Sequence, residues 1–291
     1  MSKLSEPLKA FINAAHARPN TTPAPRHIAS VYEKIAKDAG SKKVGMPAWL
    51  TLSTAATMTM NSPQSLLELY GLATSPNYSK GHDSKVWTAE LMREVGLKCI
   101  GLNGVPRTIN SLGAFYNGLP QDVQTELQKR KPRRQLTQQT INQTLHHGNT
   151  LWESIYRPFS QKLTSKLAQS HPDLPIFIIE GEYGALFSDP PNPSPNIPNI
   201  GRVLMSLVAV SVLHAQTGVG PQVVSHMFGL RKAFEDGTAD AEEAVEGGRW
   251  LAGDEGGMWL LQQVDGIVGA IGEGRGTSFA PGFEGPVKAK L

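Results

Sequence analysis

The chain has 291 residues, of which 40% are hydrophobic, 18% charged and 7% aromatic. That length suits one large domain or two ordinary ones, and the apolar content excludes disorder over most of the chain. Lys and Arg exceed Asp and Glu by 28 − 25 = 3, too little to indicate nucleic acid, and the single cysteine, Cys99, excludes an internal disulfide, a dithiol redox pair and a zinc ribbon.

The first residues read MSKLSEPLKAFINAAHARPN. They carry Lys3, Lys9 and Arg18 but no continuous apolar stretch, so they do not read as a secretory signal, and Glu6 speaks against a mitochondrial presequence. Residues 19–25 form a breaker run. Residues 48–60 are apolar and small with Ser and Thr interspersed, and a helix is expected. Residues 63–73 carry Leu66, Leu69 and Leu72 at helical spacing, and residues 85–102 carry Trp87, Leu91, Val95 and Leu102. Asp83 or Ser84 is expected to cap the latter helix.

Residues 119–148 are rich in Gln, Thr and Lys, and they include KRKPRR at 129–134. Such a run can mark an anionic partner or a localisation signal. No aromatic residue is interleaved for stacking, so a solvated connector is expected. Residues 176–179 are the best strand candidate, in a context equally compatible with helix. Residues 189–198, DPPNPSPNIP, fit neither a helix nor a central strand. Two more helices are expected. Residues 221–234 place Val223, Met227, Leu230 and Phe234 on one face. Residues 255–271 carry Met258, Leu261, Val264, Val268 and Ile271 at i, i+3, i+4 and i+7 spacing. Pro63, Pro106 and Pro221 each stand where a helix would begin. From Gly272 the chain reads GEGRGTSFAPGFEGP, which is loop-like and lacks the Gly-Lys-Ser/Thr ending of a phosphate loop. The longest apolar stretch is 203–213, far short of the roughly 20 residues of a spanning helix.

The chain matches itself. Residues 61–73 read NSPQSLLELYGLA and residues 219–231 read VGPQVVSHMFGLR. With Pro63 on Pro221, Gln64 falls on Gln222, Glu68 on His226, Tyr70 on Phe228 and Gly71 on Gly229. A small-residue helix precedes both copies, and a helix follows each, from near Glu90 and near Glu255. A repeat joined by a polar connector predicts two similar helical domains.

STAATMTMNSPQSLLELYGLA followed by EVGLKCIGLNGVPRTINSLGAF resembles the alkylhydroperoxidase D-like superfamily, which includes carboxymuconolactone decarboxylase. Glu94 and the Asn103-Gly104-Val105-Pro106 turn match one part of its pattern, and SHMFGLRKA resembles its histidine-bearing helix. The resemblance covers about half of the chain. It implies an all-α fold of two tandem alkylhydroperoxidase D-like domains: an N-terminal arm at 1–46, a first repeat at 47–118, a connector at 119–148, a second repeat at 149–271 and a tail at 272–291. One departure matters. The positions for the family's two thiols are Val219 and Gln222 in one copy, Asn61 and Gln64 in the other. Peroxidatic chemistry needs a thiolate, so a dithiol peroxidase is not expected.

What the resemblance leaves is cofactor-free proton transfer on a small carboxylated or lactone-like molecule. His226, Glu94 and Glu68 are the candidate acid or base groups. Arg107, at a helix start beyond the Gly-Val-Pro turn, would hold an anion, and Gln222 and Gln64 share helical faces with His226 and Glu68. Against this, His226 reads as a core histidine and Glu90, Glu94 and Lys98 as a solvated face with an i, i+4 pair. Cys99 reads as a small buried side chain, and the adjacent His146 and His147 point apart on a helix with no ligand set completed. Trp250 and Trp259 are expected in the second core. The alternative function is a catalytically degenerate small-molecule-binding or scaffold protein of the same fold. No cofactor and no metal are expected. The expected partners are a small-molecule ligand and a second copy in a homodimer, with no nucleic acid and no membrane. The cytoplasm is expected, with the mitochondrion as the alternative.

Overall fold

A computed structural model describes residues 4–17, 20–79, 82–190, 194, 197–242 and 244–274, with the side chains of residues 82 and 83 outside the description. Pro19, most of the tail and part of the 189–198 run therefore lie outside the described residues. The described chain is all-α, with no strand among those residues. A short first helix, α1 (Glu6–Ile12), begins on Ser5, whose hydroxyl accepts from the Leu8 N–H. α2 (Ile28–Ser41) then leads into α3 (Met46–Thr59), whose residues from Ala48 onward are all buried. Such burial requires a sequence without large polar groups. Two of its threonines bond back to their own helix, Thr57 Oγ1 to the Ser53 carbonyl at 2.7 Å and Thr59 Oγ1 to the Ala55 carbonyl at 2.9 Å.

The chain leaves α3 through Asn61, which has a left-handed φ of 52°, and enters α4 (Pro63–Ala73) on its proline. The next helix, α5 (His82–Lys98), begins three residues before the expected start, so Asp83 and Ser84 lie inside it rather than at its cap. It also ends before the expected end. Cys99 breaks the run, α6 (Ile100–Asn103) adds one turn, and Gly104 reverses the chain at φ 87°, where a side chain would be strained. α7 (Val105–Gly118) follows and packs on α4, and α8 (Gln121–Gln128) packs on α5 with Val123 and Leu127 buried.

The second half starts with α9 (Ile141–Tyr156) and α10 (Ser160–Ser170). The strand candidate at 176–179 is helical. α11 (Leu174–Ile176) runs into a wider π-helical stretch, Phe177–Leu186. Four apolar residues cannot distinguish a strand from a buried helical turn. The stretch lies along α9 because Gly148 lets the backbones touch: a Cβ there would meet the Ile179 carbonyl at 2.5 Å and Gly184 Cα at 2.7 Å.

α12 (Gly201–Gln216) repeats the character of α3, being buried at Arg202 through Leu213, and the two helices pack together at the centre. The exit from α12 is again left-handed, at Thr217 and Gly218, and α13 (Gly220–Glu235) is again proline-led. After α14 (Gly248–Leu251), α15 (Asp254–Gly272) packs on α12 and also on α2 and α3. Trp259 is buried and Trp250 lies beside it, with ring centroids 5.8 Å apart. Small-residue helix, proline-led helix and long helix thus occur twice in that order. Among the described residues, no helix is long and apolar enough to cross a membrane.

Candidate functional site

The charged face of α5 is not solvated. Glu90, Glu94 and Lys98 are all buried, and each is paired. Glu90 binds Arg93 at 3.2 Å and Arg130 Nε at 2.6 Å. Glu94 receives Arg134 at 2.5 Å and Arg133 at 3.4 Å. The Lys98 ammonium donates to the Phe187 carbonyl at 2.6 Å and the Ser188 carbonyl at 2.8 Å, and it pairs with Asp189 at 3.0 Å. The expectation of a freely solvated basic connector is corrected by the same contacts. Three of its arginines lie along α5, because buried carboxylates need cations more than surface arginines need water. The i, i+4 pairing expected of Glu94 with Lys98 is replaced by these longer-range partners.

Burial lowers the Lys98 pKa, and Asp189 only partly offsets it. Burial alone would raise the Asp189 carboxyl, but Lys98 and the Gly201 N–H outweigh it and hold the group below the usual carboxylate range. Asp189 Oδ2 accepts the Gly201 N–H at 2.6 Å, and Glu242 accepts the Arg202 N–H. The chain's own carboxylates therefore occupy the positive end of α12.

His226 stands elsewhere, on α13 in the second half. It is buried, its Nδ1 has no hydrogen-bond partner, and its ring lies edge-on to Tyr156 with centroids 6.2 Å apart. Burial first, and then the Arg202 charge, push its pKa down to about 4, so it is a neutral imidazole at pH 7. Tyr156 is bonded to Tyr183 hydroxyl to hydroxyl at 2.9 Å, and Trp152 packs against both rings. Arg202 is buried within α12. Its guanidinium donates to Ser154 Oγ at 2.8 Å, Ser206 Oγ at 2.5 Å and the Gly229 carbonyl at 2.7 Å. All three acceptors are neutral. Gly229 is required here, because a Cβ would press on Ile155 Cγ2 at 2.9 Å.

The six candidate residues do not form one site. Glu94 is held by arginines. Arg107 is half-buried and donates to the Thr59 carbonyl at 2.9 Å. Glu68, Gln64 and Gln222 are exposed, and Gln64 accepts the Ala24 N–H at 3.2 Å. Gln64 and Glu68 share an outward face because Leu66 and Leu69 claim the inward one, whereas Gln222 is exposed although His226, one turn on, is buried. His226 keeps its place as a buried titratable group. The sequence reading missed Arg202, Tyr156 and Tyr183. The available signal was Arg202 itself, a single cation heading an otherwise apolar helix.

A cavity of about 400 Å³ opens beside this cluster, within the size range of small-molecule sites. Arg202, Ser154, His147, Thr238 and Glu242 supply its polar wall, and Met205 and Phe187 part of the apolar one. His226 is not on the wall, and Arg202 links the two. Glu182, on the π-helical stretch, has its pKa pushed up to about 7 by burial and packs against Gly101, where any side chain would collide with it. No group of three or more potential metal ligands occurs among the described residues.

Fold and site together define an all-α protein with a polar centre inside its second half. No family model matches the chain, and no solved structure matches it significantly. The chain is similar to Peroxisomal protein 2 of Saccharomyces cerevisiae, 27% identical over an alignment of 221 positions, with 68% of this chain and 72% of that protein covered. This similarity does not establish a family.

The state of His226 is open to direct measurement. Its folded pKa of about 4 lies below the unfolded value of 6.5, so as pH falls the unfolded chain takes the proton first. The stability His226 contributes is complete above pH 6.5 and is lost between 6.5 and 4, by about 3 kcal/mol. Glu182 runs the other way over part of this range, since its raised pKa favours folding as pH falls below 7. The test is therefore a difference. In urea unfolding, His226→Gln is expected to lose about 3 kcal/mol less than wild type between pH 7 and pH 4. Parallel curves would contradict a buried neutral imidazole.

Proposed function

We propose that this chain is a tandem carboxymuconolactone decarboxylase-like protein of the alkylhydroperoxidase D-like superfamily. Its second half takes a small carboxylated or lactone-like molecule, and His226 is the proton-transfer group, without a cofactor. The observation that carries the reading is the buried pair of His226 and Arg202. A neutral imidazole with an unpartnered nitrogen stands within electrostatic reach of a guanidinium bonded only to neutral oxygens. Arg202 on the cavity wall suits an anionic group of the ligand. The imidazole is off that wall, so its acceptance of a proton from a carbon beside a carbonyl requires the ligand to pass Arg202 and come within hydrogen-bond reach of it. Dithiol peroxidase chemistry is not proposed. The four positions aligned with the family thiols carry Val219, Gln222, Asn61 and Gln64. Cys99 is fully buried, and burial raises its thiol well above the usual range.

One observation favours the second reading, a binding or scaffold protein that has lost its chemistry. Glu94, the acid expected beside the histidine, is held by Arg133 and Arg134. The two readings separate in a thermal-shift screen with small carboxylates and lactones, followed by proton-exchange NMR on any ligand found. A ligand present at about a hundred times its Kd adds ~2.7 kcal/mol to the native state, visible as a rise in Tm. The proposal expects that rise, together with exchange at the ligand carbon that wild type catalyses and His226→Gln does not. Binding without exchange would leave the degenerate reading. No binding at all would overturn the proposal and leave only a scaffold.

The location we propose is the peroxisome. The yeast relative carries that location in its name. A fluorescent fusion of the chain is expected to coincide with a peroxisomal marker. A diffuse or mitochondrial signal from the intact chain would contradict the assignment.

A further inference from the structure

The two proline-led helices are covered differently. On α4, Tyr70 is 5% exposed and Leu66 2%. Tyr70 packs edge-on against Phe115 of α7, with centroids 5.9 Å apart, and Leu67 lies against Gly118 at the end of α7. The corresponding residues of α13 are Phe228, Val224 and Ser225. Phe228 is 63% exposed and Val224 53%, and all three line a groove of about 1320 Å³ between α13 and α10. α9 packs on α13 through Ile155 and Gly229 and leaves Phe228 and Val224 open. The groove lies over α13 positions that align with buried positions of α4.

The groove has the shape and charge of a receptor for a helix. It follows α13 from Pro221 to Glu235, about 20 Å at the α-helical rise, a length close to that of α7. Its floor is apolar: Ile155, Leu163, Val224, Phe228 and the ring of Phe159. Its rim carries Arg157, Lys162, Lys166, Arg231 and Lys232 against one carboxylate, Glu235. Arg231 is paired with Asp254 and Arg157 with Glu153, and the rim is still net positive. A second copy of this chain would bring the same positive rim to the contact, and like charges oppose that pairing.

We propose that the groove between α10 and α13 docks an acidic amphipathic helix of another protein. The helix lays an i, i+3, i+4, i+7 apolar face on Phe228 and Val224 and turns carboxylates toward Lys162 on the rim. Phe228 and Phe159 are the anchors, being large, aromatic and uncovered. This interaction does not depend on chemistry at His226.

The test uses the full chain and two labelled synthetic helices of about 16 residues. Both carry the same Leu and Phe stripe. One is flanked by Glu and the other by Lys. In fluorescence anisotropy the Glu helix is expected to bind saturably, at least tenfold more weakly to Phe228→Asp, and more weakly to Lys162→Glu. The Lys helix is expected not to bind. Phe228 is exposed, so Phe228→Asp is expected to keep the wild-type Tm, which separates lost docking from lost folding. Four results overturn the proposal. The Glu helix fails to bind, or it binds Phe228→Asp as well as wild type. Sedimentation shows a wild-type dimer that Phe228→Asp abolishes, which assigns the groove to a second copy. Dodecanoate binds wild type but not Phe228→Asp while neither helix binds, which assigns it to small amphipathic anions.

Discussion

A lysine ammonium with no solvent exposure sits between the two halves of this protein. Lys98 ends α5 and reaches the 187–189 segment, where two carbonyls and the Asp189 carboxylate receive it. Moving an ammonium out of water costs several kcal/mol, so the fold holds Lys98 inside only while all three acceptors stay in place. That condition fixes much else. Phe187 and Ser188 must end the π-helical stretch at α5. Asp189 must face both Lys98 and the first N–H of α12. Further along the same face, Glu94 and Glu90 gather the connector through Arg134, Arg133 and Arg130. One helical stripe of three charges therefore ties the first half, the connector and the entrance to α12 together.

This arrangement separates stability from the proposed chemistry. Charges on α5 are matched and held by fixed partners, which suits a frame. Arg202 and His226 are buried among hydroxyls, carbonyls and aromatic rings, and the carboxylates of Asp236 and Glu242 act on the guanidinium through space. The two environments meet at the head of α12, one of the central pair with α3, where Asp189, Arg202 and Glu242 line one cavity. Both helices are packed on nearly all sides, and only the head of α12 carries a charge inward. Burial also explains why the lone thiol is inert: Cys99 lies where α5 gives way to α6, inside the core.

Much of the helical frame was legible in the sequence because it rests on local rules. Pro63 and Pro221 start helices, and the period of apolar residues marks α4, α13 and α15. The small-residue runs marked α3 and α12. Errors arose where a residue's partner is distant along the chain. Lys98 and Asp189 are bonded across a gap no periodicity reports, and KRKPRR reads as solvated until Glu90 and Glu94 are known to be buried beneath it. The apolar run at 176–179 was ambiguous because four residues fit either period. Of the candidate site, the burial and helical setting of His226 were legible from its helix. Its companions were not, since Tyr156, Tyr183 and Arg202 come from three other elements. The aligned pair Glu68 and His226 shows the limit of a repeat match, with one side chain exposed and the other buried.

The central claim is that Lys98 holds the two halves in one frame, and urea unfolding of Lys98→Met tests it most directly. The substitution keeps the length of the apolar stem and removes the ammonium, leaving two buried carbonyls and the Asp189 carboxylate without it. The account predicts a single cooperative transition for wild type and a loss of about 3 kcal/mol or more in the variant, as for other buried pairs broken on one side. A variant within about 0.5 kcal/mol of wild type, the range of ordinary surface substitutions, would contradict it.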